Sequence, residues 1–367
     1  MKTGIITFHA SHNYGSMLQA YALQQTVLSL GHECEIINFR TLRQKTFYRP
    51  FYRQNLLRSK VKALLYPRLA INDKRKWRLF ERFMKENYHL TAAEYATFDQ
   101  LRDAQLGYDA IICGSDQIWN TTCFDHDPAF FLGFTDNAKK IAYAPSMGPV
   151  PESAIEHRFD NDIRDALESF SHISVRESAT ADRIEAITAK RPPVVLDPTL
   201  LLTPDEWDAL VPAKRTHPKD YIFFYSPSYD DSALEATIKL AEQWGIDIIV
   251  SQSNISKHRR RNKRIKFKTA IGPVEFLSLI KNAQLVMGTS FHAVVFSILF
   301  ARPFYAVGGM EDARISTLLS ATGLQQFAKL PEELNDTKAT AAILAGRQRL
   351  EPLRQASLQF LRTALTE

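Results

Sequence analysis

Three groups of residues have the types and spacing to do chemistry. The first is His292, in the stretch LVMGTSFHAVVFSILFARPF at residues 285–304. A buried-strand run at 285–287 passes through a Gly-Thr-Ser turn into an apolar helix starting near His292. An imidazole there can exchange protons near neutral pH. The first-turn amides beside it, from Ser290 and Phe291 onward, can hold an anion. A histidine that only caps its helix would fit the same place. The second group is Asp116, Gln117 and Trp119 in DAIICGSDQIWN. Carboxylate and amide on sugar hydroxyls, with an indole under the sugar ring, would suit a carbohydrate; a helix cap beside a core tryptophan would leave the same pattern. The third is Arg176-Glu177 in HISVRESAT. The arginine can fork onto a phosphate or carboxylate, or simply pair with an acid within the fold.

The elements that must position these groups alternate along the chain. Strand-like runs occur at 4–8, 35–39, 110–113, 141–144, 173–175 and 194–196, then at 221–225, 247–250, 285–287 and 304–307. Several are unbroken Ile/Val/Phe runs, as in parallel strands buried on both faces. Helical patterns lie between them, at 17–30, 234–244, 274–281 and 293–300. The alternation predicts an α/β architecture with right-handed crossovers, and in open α/β sheets ligands bind at the carboxyl ends of the strands. All three groups follow a strand. So do Asn13, Tyr14, Gly15 and Ser16 in FHASHNYGSMLQ, which shape a turn without the GxGxxG pattern of a dinucleotide site, and Ser146 and Gly148 in IAYAPSMG, whose amides could meet an anion. His9 and His12 read as loop residues.

The chain has 367 residues, enough for about two domains. Prolines 198, 204, 212 and 218 punctuate residues 197–219, where the junction is expected. The expected division is a first domain at 1–200 with a basic helical insertion at about 40–90, a second at 201–330, and carboxyl-terminal helices at 331–367 packing back across both. Pro352 should kink or restart the last of these. Residues 40–88 hold fifteen Lys or Arg against three acids, and 257–268 hold eight against none, although net charge is only +6. Such patches attract phosphorylated substrates, an acidic membrane surface or nucleic acid, though no nucleic-acid reading module is present. The insertion reads either as a membrane-facing basic helix pair or as a solvated insertion packed on the core. The amino terminus does not read as a signal peptide, and no apolar run approaches the ~20 residues of a membrane span. Cys34, Cys113 and Cys123 lack CxxC spacing, so neither disulfides nor a zinc site is expected. The expected location is the cytoplasm, with peripheral contact at the inner face of the cytoplasmic membrane.

Taken in order, NYGSMLQAYAL, GSDQIWN, YAPSMG, SVRES, LDPTLLL, GTSFHAVVFSILFARPF and ARISTLLSATGL resemble the polysaccharide pyruvyltransferase family over about residues 4–324. The resemblance implies two Rossmann-like domains facing a cleft, similar to the GT-B arrangement. It also implies phosphoenolpyruvate as co-substrate rather than any cofactor, and a sugar or lipid-linked oligosaccharide as acceptor. The product would be a pyruvate ketal, with phosphate released. His292 would be catalytic and Arg176 donor-binding. Ser290 stands where many members carry an arginine, and Ser16-Met17 where many carry acids. Arg314, Lys139 or Lys140 are then expected to supply the missing charge and Asp116 the carboxylate base. Ser290, Phe291 and Ser146 complete the donor contacts. Asn13, Tyr14, Gln117 and Trp119 would hold the acceptor, with no metal. A GT-B-type glycosyltransferase using a nucleotide sugar, or a non-catalytic binder of glycans or lipid head groups, would share most of these features.

Overall fold

A computed structural model describes residues 1–50, 67–148, 160–215, 217–227, 230–252, 255–256, 258–329 and 336–367. Phe51, Tyr52, Leu56, Leu57, Leu64 and Leu65 of the basic insertion, and Lys257 of the second basic cluster, lie outside the described residues. The chain divides into two compact units. The first comprises Met1–Leu56, Arg82–Leu202 and Pro352–Glu367; the second comprises Leu57–Glu81 and Thr203–Glu351. Part of the insertion assigned by sequence to the first domain therefore belongs with the second.

The first unit is built on a six-stranded parallel sheet. Its strands are β1 (Lys2–Ile6), β2 (Glu33–Phe39), β3 (Leu90–Tyr95), β4 (Ala110–Cys113), β5 (Lys139–Ala142) and β6 (His172–Ile173), in the order β3-β2-β1-β4-β5-β6. Helices α1 (Tyr14–Ser29), α2 (Leu42–Tyr48), α3 (Pro67–Asn87), α4 (Phe98–Asp103), α5 (Asp160–Glu168) and α6 (Ser178–Thr188) punctuate it, with α3 crossing from the second unit. β4 is buried at every position because AIIC offers only small and apolar side chains. In α3, Phe83 and Met84 are buried, and the Tyr88 hydroxyl just beyond donates to the Met17 carbonyl at 2.7 Å. That part of the insertion packs on the core.

The second unit repeats the plan with β7 (Tyr221–Tyr225), β8 (Asp247–Val250), β9 (Ile265–Phe267), β10 (Leu285–Gly288) and β11 (Phe304–Ala306), all parallel, in the order β11-β10-β7-β8-β9. Its helices are α7 (Pro204–Asp208), α8 (Asp231–Trp244), α9 (Pro273–Lys281), α10 (Phe291–Leu299) and α11 (Ala313–Thr322). Each sheet reverses its winding once, between β1 and β4 in the first and between β7 and β10 in the second. In such sheets ligands settle outside the strand ends at that reversal.

Three departures from expectation have physical causes. The run at 194–196 is no strand: only Val194 bridges, to Val175, because Pro192 and Pro193 before it have no N–H to give a ladder. β3 and β9 are edge strands whose side chains are exposed or half-exposed except for the buried Ile265, so neither carries the apolar run that marks a buried strand. Residues 336–366 form one helix, α12 (Asp336–Thr366), which runs through Pro352 without restarting. Its part from Pro352 onward completes the first unit: Leu361, Ala364 and Leu365 are fully buried, and the Leu196 N–H donates to Ser357 Oγ at 3.0 Å.

Candidate functional site

At the carboxyl rim of the first sheet, Asn13 caps α1, its Oδ1 accepting the Gly15 N–H at 2.9 Å. Ser16, in the first turn of α1, donates its hydroxyl to Asp116 Oδ2, and the Gln117 N–H donates to Oδ1 at 2.8 Å. These contacts span the β1/β4 reversal. Asp116 holds a left-handed φ of 77° and Ala144, at the end of β5, one of 54°. Side chains rarely adopt that conformation, and strain of this kind gathers at functional loops.

Beside Asp116 lies a buried charge network. Arg176 Nη1 meets Asp197 Oδ2 at 3.0 Å and its Nε meets Glu177 Oε2 at 3.5 Å, with all three side chains at most 2% exposed. Ser115 Oγ donates to Asp197 Oδ2 at 3.3 Å, and the Thr199 hydroxyl to Oδ1 at 2.6 Å. Burial pulls the Arg176 pKa down, but Asp197, Glu177 and Asp116 outweigh it and hold the guanidinium above its ordinary range. Of the two readings open for Arg176, the structure has the ion pair. Its charge is already answered by carboxylates, which weakens the case for a direct grip on a donor.

Other expected contacts find different places. Trp119 is 1% exposed, stacks on Phe131 at 5.4 Å and donates its indole N–H to the Phe130 carbonyl, so it is a core residue and no platform. Among the described residues of the loop after β5, the amides of 146–148 are taken: Ser146 N–H donates to the Asp116 carbonyl, Met147 N–H to Thr180 Oγ1 and Gly148 N–H to Ser146 Oγ. Lys140 sits in the first half of β5, away from the carboxyl rim, with Nζ 3.8 Å from Asp136. Tyr14 is buried at 2% exposure, whereas Asn13 is exposed and Gln117 half-buried, its Oε1 accepting from Asn120. His9 is fully buried and bridges the Thr7 carbonyl and Asn38.

The rim of the second sheet carries different chemistry. Gly288 ends β10 at φ 148°, where an added Cβ would stand 1.9 Å from the Tyr225 carbonyl oxygen of β7. Only glycine lets the two strand ends close together there. Ser290 caps α10, its Oγ accepting the Ala293 N–H at 3.4 Å; the serine standing where an arginine is common is therefore a capping residue. His292 follows in the first turn of α10, 9% exposed, with the buried Phe291 ring edge-on at 5.1 Å. Arg314 is not a free charge, because it forks onto Asp312 through Nε and Nη2. Sequence reasoning missed three groups here. Ser226 follows β7, its Oγ 2.7 Å from Thr289 Oγ1, and its N–H donates to Gln252 Oε1 at 2.7 Å. The signal for Gln252 was the abrupt change from DIIV to Ser251-Gln252 after β8.

A family model described as polysaccharide pyruvyl transferase matches residues 13–309. None of the curated proteins matches the sequence. Among solved structures, the chain is similar to S. aureus MnaA in a co-structure with UDP, at TM-score 0.53 and 12% identity, covering 94% of this chain and 90% of that one. It is also similar to the UDP-GlcNAc 2-epimerase of Neisseria meningitidis bound to UDP-GlcNAc, at TM-score 0.51 and 8% identity, covering 98% and 99%. At such identities the likeness speaks to fold: two parallel-sheet α/β units of the GT-B kind. No helix among the described residues is long and apolar enough to cross a membrane.

Proposed function

Because the chain belongs to the polysaccharide pyruvyl transferase family, we propose that it moves the pyruvyl group of phosphoenolpyruvate onto two hydroxyls of one sugar, in a cell-surface polysaccharide or its lipid-linked precursor. The observation that carries this reading is the position of His292, in the first turn of α10 beside the winding reversal of the second sheet. His292 protonates the methylene carbon of phosphoenolpyruvate, and a sugar hydroxyl attacks the neighbouring carbon, which then holds phosphate, carboxylate, methyl and the new C–O bond. The second hydroxyl closes the ketal as phosphate leaves, its proton departing with the phosphate. A positioned imidazole contributes roughly 10²–10⁴-fold to such a step.

Asp116 takes the proton of the attacking hydroxyl. Ser16 and the Gln117 amide aim its carboxylate, and Gln117 and Asn13 contact the acceptor. Arg176 acts as a positioning residue, fixing Asp197 and Glu177 behind Asp116, while neutral donors around His292 take the anionic end of the donor. The test is phosphate release from phosphoenolpyruvate with glycan acceptors. His292→Ala is expected to lower turnover by about 10²–10⁴-fold at unchanged melting temperature. Undiminished turnover would remove His292 from the mechanism, and an inert wild-type protein on every acceptor, without binding of phosphoenolpyruvate, would remove the donor.

A further inference from the structure

We propose that Gln252 is a ligand-binding residue of the second unit, its carboxamide N–H donating to an anionic oxygen of the substrate at the β7/β10 rim. Gln252 is 9% exposed and stands just past the end of β8. Its Oε1 accepts the Ser226 N–H at 2.7 Å. A backbone amide can only donate, so the oxygen end of the carboxamide must face Ser226, and this fixes which end is Nε2. Nε2 is buried and has no hydrogen-bond partner among the described residues; neither has Ser251 Oγ, at 1% exposure. A buried donor left unmade is costly. A carboxamide locked by one end with its donors left over is built for a partner that arrives from outside.

The surroundings of that carboxamide follow from the chain of contacts. Gln252 leans from the end of β8 onto Ser226 at the end of β7, and Ser226 meets Thr289 at the end of β10, three residues before His292. The row runs across the winding reversal toward the first turn of α10. Its members are a carboxamide and hydroxyls beside a helix amino terminus, a neutral donor-rich set that suits an anion and offers a cation little. The ligand class is therefore a small molecule presenting a phosphate or carboxylate oxygen. Identifying that oxygen as part of phosphoenolpyruvate rests on the proposed function; donation to an anionic oxygen does not.

Two substitutions in the full chain test this. Gln252→Glu keeps the oxygen that Ser226 needs and turns the other end from donor to acceptor. Gln252→Met keeps the approximate volume and removes both. Affinities for phosphoenolpyruvate, UDP and inorganic phosphate are measured by calorimetry, alongside melting of the free proteins. The tightest-binding probe should lose on the order of 10- to 100-fold with Gln252→Glu, and about 10-fold with Gln252→Met, at melting temperatures near wild type. If Gln252→Glu folds poorly, Gln252→Met decides alone. Unchanged affinity in the folded variants overturns the role of Gln252 and leaves pyruvyl transfer standing. Loss of UDP or phosphate affinity, in a protein that ignores phosphoenolpyruvate, upholds Gln252 and overturns the donor. A wild-type protein that binds none of the three anions overturns the inference.

Discussion

The carboxyl rims of the two sheets occupy equivalent places in equivalent topologies and are furnished in opposite ways. In the first, charge answers charge: Arg176 lies between Asp197 and Glu177 with Asp116 near, all nine-tenths or more buried. In the second, the groups at the reversal are neutral and short, Ser226, Thr289, Ser290 and Gln252, leading to one imidazole. A compensated buried network fixes geometry but has little left to offer a ligand, since each member is costly to disturb. A rim of neutral donors can be left partly unmade at a smaller cost. The Arg176 network is thus suited to holding the loop of Asp116 and Gln117 in its strained shape, which leaves those two residues to face a neutral acceptor, and the second rim to meeting an anion.

The sharpest way to break this contrast is Arg176→Met. It strands two buried carboxylates and should cost about 3–5 kcal/mol in denaturant unfolding. If Arg176 instead serves the donor alone, stability will hold and only the KM for phosphoenolpyruvate will rise. In the second unit the comparable weak point is backbone. Gly288→Ala forces a Cβ against the Tyr225 carbonyl at a φ that side chains avoid, and should cost on the order of 3 kcal/mol in the same measurement. A silent Gly288→Ala would mean that the strand ends at the reversal can part freely.

The smallest effect concerns pH. His126 backs the Asp116–Trp119 segment through the Ile118 carbonyl, and burial pushes its pKa below the ordinary 6.5. The unfolded chain then takes up this proton before the folded one does. Its contribution is fully present at pH 7 and is lost as pH falls from about 6.5 through the folded value. Melting curves between pH 7 and 5 should show a slope that His126→Gln flattens; equal slopes would assign the acid sensitivity elsewhere.

Much of this was legible in the sequence where burial is complete. β4, β7 and β8 begin and end at the residues expected because their runs are apolar, apart from Asp247 at the start of β8. β3 and β9, exposed at the edges, leave no such trace. The strand-end positions of Asp116 and His292 were readable from the Gly-Ser and Gly-Thr-Ser turns before them. The partners of Arg176 were less so, because Asp197 lies 21 residues further on and meets it only when β6 and the 197–200 turn come together. Trp119 looked like a platform because composition cannot tell an indole facing Phe131 from one facing solvent.

The final turns of α12 set an order of events. Leu361, Ala364 and Leu365 are fully buried in the first unit, and Ser357 receives the Leu196 N–H. Domains commonly fold amino terminus first as the chain leaves the ribosome. Here the amino-terminal unit is completed only by residues 352–367, which are translated after every residue of the other unit. The unit begun first is finished last.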